Sequence, residues 1–311
     1  MRRRTPPPEP PRPHATRLTL VAATLALLGC HPGNSQAKQL RSDCESGNAV
    51  ACNAFALKLL AGEHVLRDDG RGADLLTKAC DGAVAEGCAR LGVLYQDGTG
   101  VRRDSARAPA LLQKACERGA MDGCSRLGVL YRQGAGVTPD LPRAVALFRQ
   151  ACDGAHATGC SNLGALYAAG QGVEPDPARA ATLFKQACDA KAAAGCVGLG
   201  RLYAAGTGVT RNDSLAATLF TQACDSSEAA GCFHLGNLNA AGQGVTQDFT
   251  KAAQLYRSAC DNRHGEACYT LAGLYEKGAG VRRNPERVTE FTERACTLGH
   301  TAACPKPKAS T

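Results

Sequence analysis

Cys124-Ser125-Arg126-Leu127-Gly128-Val129-Leu130-Tyr131-Arg132-Gln133-Gly134-Ala135-Gly136-Val137 opens a unit that continues through Asp140 to Ala151-Cys152 and begins again at Cys160. The same order of residues starts at Cys88, Cys124, Cys160, Cys196, Cys232 and Cys268, each 36 residues after the one before. A degraded copy starts at Cys52. Leu91, Leu94 and Tyr95 in one unit, like Leu127, Leu130 and Tyr131 in the next, fall at helical spacing. Gly98, Gly100 and Val101 end that helix, the glycines supplying positive φ. A second helix is expected to open at Asp68, Asp104, Asp140, Asp176, Asn212, Asp248 and Asn284, all good N-caps in one register, with Pro177 and Pro285 in the favoured following position. It buries Leu111/Leu112, Leu147/Phe148, Leu183/Phe184, Leu219/Phe220 and Leu255/Tyr256. Two antiparallel helices per repeat give an all-α solenoid of about seven hairpins. No hairpin of this size buries its own apolar face, so stacking makes one elongated domain over residues 44–304. Gly92, Gly128, Gly164, Gly200 and Gly236 sit inside the first helix, where glycine costs about 1 kcal/mol relative to alanine. Their recurrence at that cost predicts close helix–helix approach.

Of the 17 cysteines, all but Cys30 form pairs eight residues apart: Cys44/Cys52, Cys80/Cys88, Cys116/Cys124, Cys152/Cys160, Cys188/Cys196, Cys224/Cys232, Cys260/Cys268 and Cys296/Cys304. Pairing within a hairpin, Cys52 to Cys80 and onward, would strand Cys44 and Cys304; pairing across eight residues strands none. Each local bridge stabilises by about 2.5 kcal/mol in the chain-entropy model. Zinc sites favour closer ligand spacing, and the seven histidines are read as scattered over different repeat positions, so no metal and no other cofactor is expected.

Residues 1–29 read as an export signal. Arg2, Arg3, Arg4, Arg12 and Arg17 precede an apolar run from Leu18 to Leu28 that is too short to span a bilayer. Leu27-Leu28-Gly29-Cys30 resembles the bacterial lipobox, which makes Cys30 the lipidation site. Residues 30–43 then form the lipidated cysteine and a polar tether, and residues 305–311 a loose tail. The net charge of +8 includes five Arg and one Glu of the leader, so +4 remains without it. With no aromatic-plus-basic platform, nucleic acid is excluded as a partner. Disulfides and lipobox together imply the bacterial envelope, in the periplasm or at the outer membrane or surface. His31 directly after Cys30 weakly favours the outer membrane.

The pattern Leu-Gly-x-Leu-Tyr-x-x-Gly-x-Gly-Val, followed by the capping Asp and the Ala-Cys helix end, resembles the Sel1-like repeat, a relative of the tetratricopeptide repeat. The cysteine pairs resemble its cysteine-rich, Helicobacter-type subgroup. The resemblance implies a right-handed α/α superhelix that holds other proteins. For the subgroup it also implies β-lactam binding and weak β-lactamase activity. The residues do not support that enzyme. Ser35-Gln36-Ala37-Lys38 is the one Ser-x-x-Lys, it lies in the expected tether, and neither Ser-Asp-Asn nor Lys-Thr-Gly occurs. No residue is nominated as catalytic.

A scaffold reading uses side chains that are present. First helices line the inner face of such solenoids, so their departures from the repeat carry the recognition. Those departures are Arg126, Asn162, Arg201, Phe233, His234, Asn237 and Asn239, with the sixth unit most altered. Amides and a cation-capable imidazole there, flanked by Arg126 and Arg201, suit a peptide backbone or carboxylate. The expected partners are another protein, a peptide, a peptidoglycan fragment or a β-lactam, together with the membrane through the lipid anchor.

Overall fold

A computed structural model describes residues 32–304. Those residues form fifteen α-helices: α1 (Pro32–Glu45), α2 (Ala49–Ala61), α3 (Asp69–Asp81), α4 (Ala85–Asp97), α5 (Arg107–Glu117), α6 (Met121–Gln133), α7 (Leu141–Asp153), α8 (Ala157–Ala169), α9 (Pro177–Asp189), α10 (Ala193–Ala205), α11 (Asp213–Asp225), α12 (Ala229–Ala241), α13 (Phe249–Asp261), α14 (Gly265–Lys277) and α15 (Pro285–Thr297). A short 3₁₀ turn follows at Thr301–Ala303. The chain divides into two compact units, one holding α1–α3 and the other α4–α15. Both are all-α. From α2 onward the even-numbered helices are the first and the odd-numbered the second members of seven hairpins.

The sequence explains each hairpin locally. Asp140 Oδ1 accepts from the Arg143 amide at 2.9 Å, satisfying one of the orphan donors of α7, and Asp176, Asn212, Asp248 and Asn284 do the same in their helices. One cap departs from the expected pattern. Asp104 accepts from the amides of Ala106 and Arg107, yet α5 begins only at Arg107. Pro109 has no N–H to bond back to Ser105, so the first turn is lost.

The glycines inside the first helices sit where the second helix of the same hairpin presses in. A Cβ on Gly128 would lie 2.7 Å from Phe148, on Gly200 2.6 Å from Phe220, and on Gly236 2.7 Å from Tyr256. Phe148, Phe184, Phe220, Leu163, Leu166, Leu199 and Leu202 then merge into one continuous core in the second unit. No hairpin holds that core alone. Within that unit successive first helices (α4 to α6, α6 to α8, α8 to α10, α10 to α12) touch directly, while second helices of neighbouring hairpins do not approach comparably.

Seven bridges form at the predicted spacing, from Cys44–Cys52 to Cys296–Cys304, with Cα separations of 4.5–4.8 Å. Cys80 and Cys88 are disulfide-bonded as well. Each staple up to Cys260–Cys268 spans the turn from a second helix to the following first helix, and Cys296–Cys304 joins α15 to the end of the 3₁₀ turn. Inside these turns Ala83, Ala155, Lys191, Ser227 and Arg263 adopt φ between 60° and 68°, where the equivalent Gly47, Gly119 and Gly299 are unstrained.

One expectation needs correcting. Residues 32–45 form a helix where a polar tether was expected. Adding 36 to Ala37, Leu40 and Cys44 gives Ala73, Leu76 and Cys80, so α1 takes the register of a second helix. Ala37 and Cys44 are buried and the Cys44–Cys52 bridge fastens α1 to α2. Among the described residues no helix is long and apolar enough to cross a membrane. Cys30, the leader and residues 305–311 lie outside the described residues.

Candidate functional site

Register decides which first-helix side chains stay outside the core. Counting from the cysteine of each first helix, the positions two before, two after, five after and nine after lie on one face, at the three- and four-residue intervals that align side chains on a helix. The face runs Asp122, Arg126, Val129 and Gln133 on α6, then Thr158, Asn162, Ala165 and Ala169 on α8. It continues with Ala194, Gly198, Arg201 and Ala205 on α10 and with Ala230, His234, Asn237 and Ala241 on α12. On α14 it carries Glu266, Thr270, Gly273 and Lys277. Charges therefore cluster at α6 and α14. Between them Arg201 is the lone formal charge, set among small side chains.

The seven candidates separate once placed. Arg126 is exposed, but its Nε donates to Asp122 Oδ2 at 2.7 Å, so the guanidinium is already engaged. Asn162 is half-buried on the same face, and Arg201 is exposed. Arg201 makes no ion pair or hydrogen bond among the described residues.

Two candidates are corrected outright. Phe233, 6% exposed, packs inward against the rings of His264 at 4.6 Å and Tyr256 at 5.8 Å. Asn239, 2% exposed, stands in the core position that Tyr167 and Tyr203 occupy elsewhere, and its Nδ2 donates to the Leu235 carbonyl at 2.8 Å. Neither reaches solvent.

His234 and Asn237 remain, one helical turn apart on α12. The His234 ring stacks on Phe220 at 5.0 Å and leans on Phe233 at 5.5 Å. Burial between these rings pushes its pKa down to about 4, with the Arg201 guanidinium and His264 adding to the shift. It is therefore a neutral imidazole at ordinary pH, so the cation-capable role expected of it is not available there. Asn237 is exposed but held: the Tyr256 hydroxyl donates to its Oδ1 at 2.7 Å. Burial pushes that hydroxyl up to about 12, so it stays a donor.

The histidines also keep more order than the sequence reading allowed. His156, His264 and His300 share one register, immediately before a first helix or its remnant. His156 Nδ1 accepts from the Gly159 amide at 3.3 Å and His264 Nδ1 from the Ala267 amide at 3.2 Å, so two of them act as N-caps. Among the described residues no group of three or more His, Cys, Asp or Glu could hold a metal ion. Ser35 and Lys38 are exposed on α1, on a helix after all. A cleft of about 520 Å³ in the same unit, lined by Arg41, Phe55, Arg71 and Lys78, includes neither.

Repeat pattern, hairpin geometry and serial bridges now meet a direct comparison: the Sel1 repeat profile matches residues 49–83, 85–119, 122–156, 157–191, 193–227, 229–264 and 265–300. The chain belongs to the Sel1 repeat family. Among solved Sel1-type structures, a protective antigen of uropathogenic Escherichia coli with an SLR fold is 28% identical at TM-score 0.61. The alignment covers 86% of this chain and 65% of that one, so the chain spans 65% of that antigen's length. A Sel1 repeat protein from Oxalobacter formigenes is 21% identical at TM-score 0.70, covering 84% and 99% of the two chains, and shares the fold. Cysteine-rich protein B of Helicobacter pylori is 28% identical over 41% of this chain and 96% of its own, at TM-score 0.35. The likeness to its subgroup rests on the serial bridges. Among curated proteins nothing matches the chain. Sel1 repeat proteins are in general protein-interaction scaffolds, and this many disulfides point to an oxidising, extracytoplasmic location.

Proposed function

We propose that the chain is an exported, lipid-anchored scaffold that binds a protein or peptide along the exposed face of its first helices in the second unit. The observation that carries this reading is the change of that face from α6 to α12. Charged side chains give way to alanine and glycine, leaving Asn162, Arg201, His234 and Asn237 as the groups able to form hydrogen bonds. Small side chains let an extended backbone come close, and sparse polar groups set its register. The direct contacts between successive first helices make theirs the tighter side of the stack, which supports an inward-curving surface. Cys30 and the leader supply the export and anchoring half of the reading, and the disulfides are consistent with it.

The test places an arginine on each side of one hairpin. Ala194→Arg fills the proposed face on α10, whereas Thr218→Arg alters the exposed side of α11. Recovery of bound envelope proteins by affinity capture is expected to fall with Ala194→Arg and to stay unchanged with Thr218→Arg. Equal recovery with both variants would refute the reading.

A further inference from the structure

We propose that Arg201, Asn237 and His234 form a carboxylate-binding subsite, the chemical anchor point for an extended peptide on the first-helix face. The proposal rests on the scaffold reading above and adds the chemistry of the ligand. Arg201 and Asn237 occupy the same register on α10 and α12, helices in direct contact, and His234 precedes Asn237 by one turn. Arg201 and Asn237 are biased toward donating. Arg201 presents its planar N–H fork with no carboxylate of its own to satisfy. Asn237 has its acceptor oxygen occupied by the Tyr256 hydroxyl, which leaves the Nδ2 hydrogens for a ligand. His234, fixed between Phe220 and Phe233, adds an N–H without adding charge. A cluster rich in donors suits a ligand that only accepts, and a carboxylate matches the guanidinium fork in two parallel bonds.

The surroundings point the same way. No acidic residue shares the exposed face on α8, α10 or α12. Gly273, next in the Arg201–Asn237 column, has nothing within 4 Å of where a Cβ would stand, so the column opens onto free space beyond Asn237. Arg126, on the same face of α6, lacks these properties because Asp122 already holds it. The carboxylate has two possible sources, the C-terminus of a peptide chain or an acidic side chain within it.

Fluorescence anisotropy on the oxidised full chain distinguishes these sources with three labelled Ala/Gly hexapeptides: one with a free C-terminus, one amidated, and one amidated with a central glutamate. The free acid or the glutamate peptide is expected to bind at least about tenfold tighter than the plain amide, and whichever does identifies the source. Arg201→Met should remove that advantage, while Arg126→Met should leave it intact. Both residues are exposed, so neither change threatens the fold. Equal binding of all three peptides, no binding of any, or an unchanged advantage in Arg201→Met would overturn the proposal. If Ala194→Arg abolishes peptide binding while Arg201→Met spares it, the first-helix face stands and the carboxylate subsite falls. If neither substitution alters binding, both readings fall.

Discussion

At the scale of single residues, His234 shows how packing rewrites the chemistry that a residue type suggests. An exposed imidazole would titrate near neutrality. Here desolvation against Phe220 and Phe233, with Arg201 and His264 nearby, lowers the value to about 4. The unfolded chain therefore binds a proton over a pH range in which the folded chain does not, and stability rises with pH there. On acidification from about pH 6.5 toward 4 the protein loses stability, and His234→Gln removes part of that loss. Urea midpoints of both proteins at pH 7 and 4.5 check this; equal losses would contradict it. His264, also lowered by burial, adds a smaller effect of the same sign. Ala155 offers a second test at this scale. It holds φ at 60° inside the Cys152–Cys160 loop, a conformation glycine adopts without strain. Ala155→Gly is expected to stabilise by about 0.5–1 kcal/mol, measured by denaturant unfolding.

At the scale of helices and hairpins, repetition made much of the fold legible. The capping column and the buried glycines each recur along the chain, so their physical meaning could be read from position alone. Asp140→Ala is expected to cost about 1 kcal/mol through the lost Arg143 contact. Gly128→Ala is expected to cost about 1–3 kcal/mol despite the better helix propensity of alanine, because its Cβ would lie 2.7 Å from Phe148 Cε1. Thermal melts of the two variants measure both. Elements that break the repeat were harder to read. α1 is polar over most of its length, so only the 36-residue offset from Cys44 to Cys80 betrays it. The late start of α5 follows from Pro109, which the capping pattern outweighed. Within the site, Arg201, His234 and Asn237 were visible as departures from the repeat. Phe233 and Asn239 were misplaced because substitution at a core position looks, in a single sequence, the same as substitution on an exposed face.

At the scale of the whole molecule, the bridges act as serial staples on units that each depend on their neighbours. Replacing Cys152 and Cys160 together by alanine is expected to cost about 2.5 kcal/mol, and full reduction to cost several times as much. Calorimetry with and without reductant would show it. Such dependence suits an oxidising compartment, where the bridges persist. Site-specific photo-crosslinking in cells tests whether binding uses one side of the stack. A photoreactive side chain at Ala165, Ala194 or Ala230 places the probe on the first-helix face of three successive hairpins, with Thr218 on the exposed side of α11 as the reference. Partner adducts are expected from the three first-helix positions and none from Thr218. Adducts from Thr218 with none from the first-helix positions would contradict binding on the first-helix face.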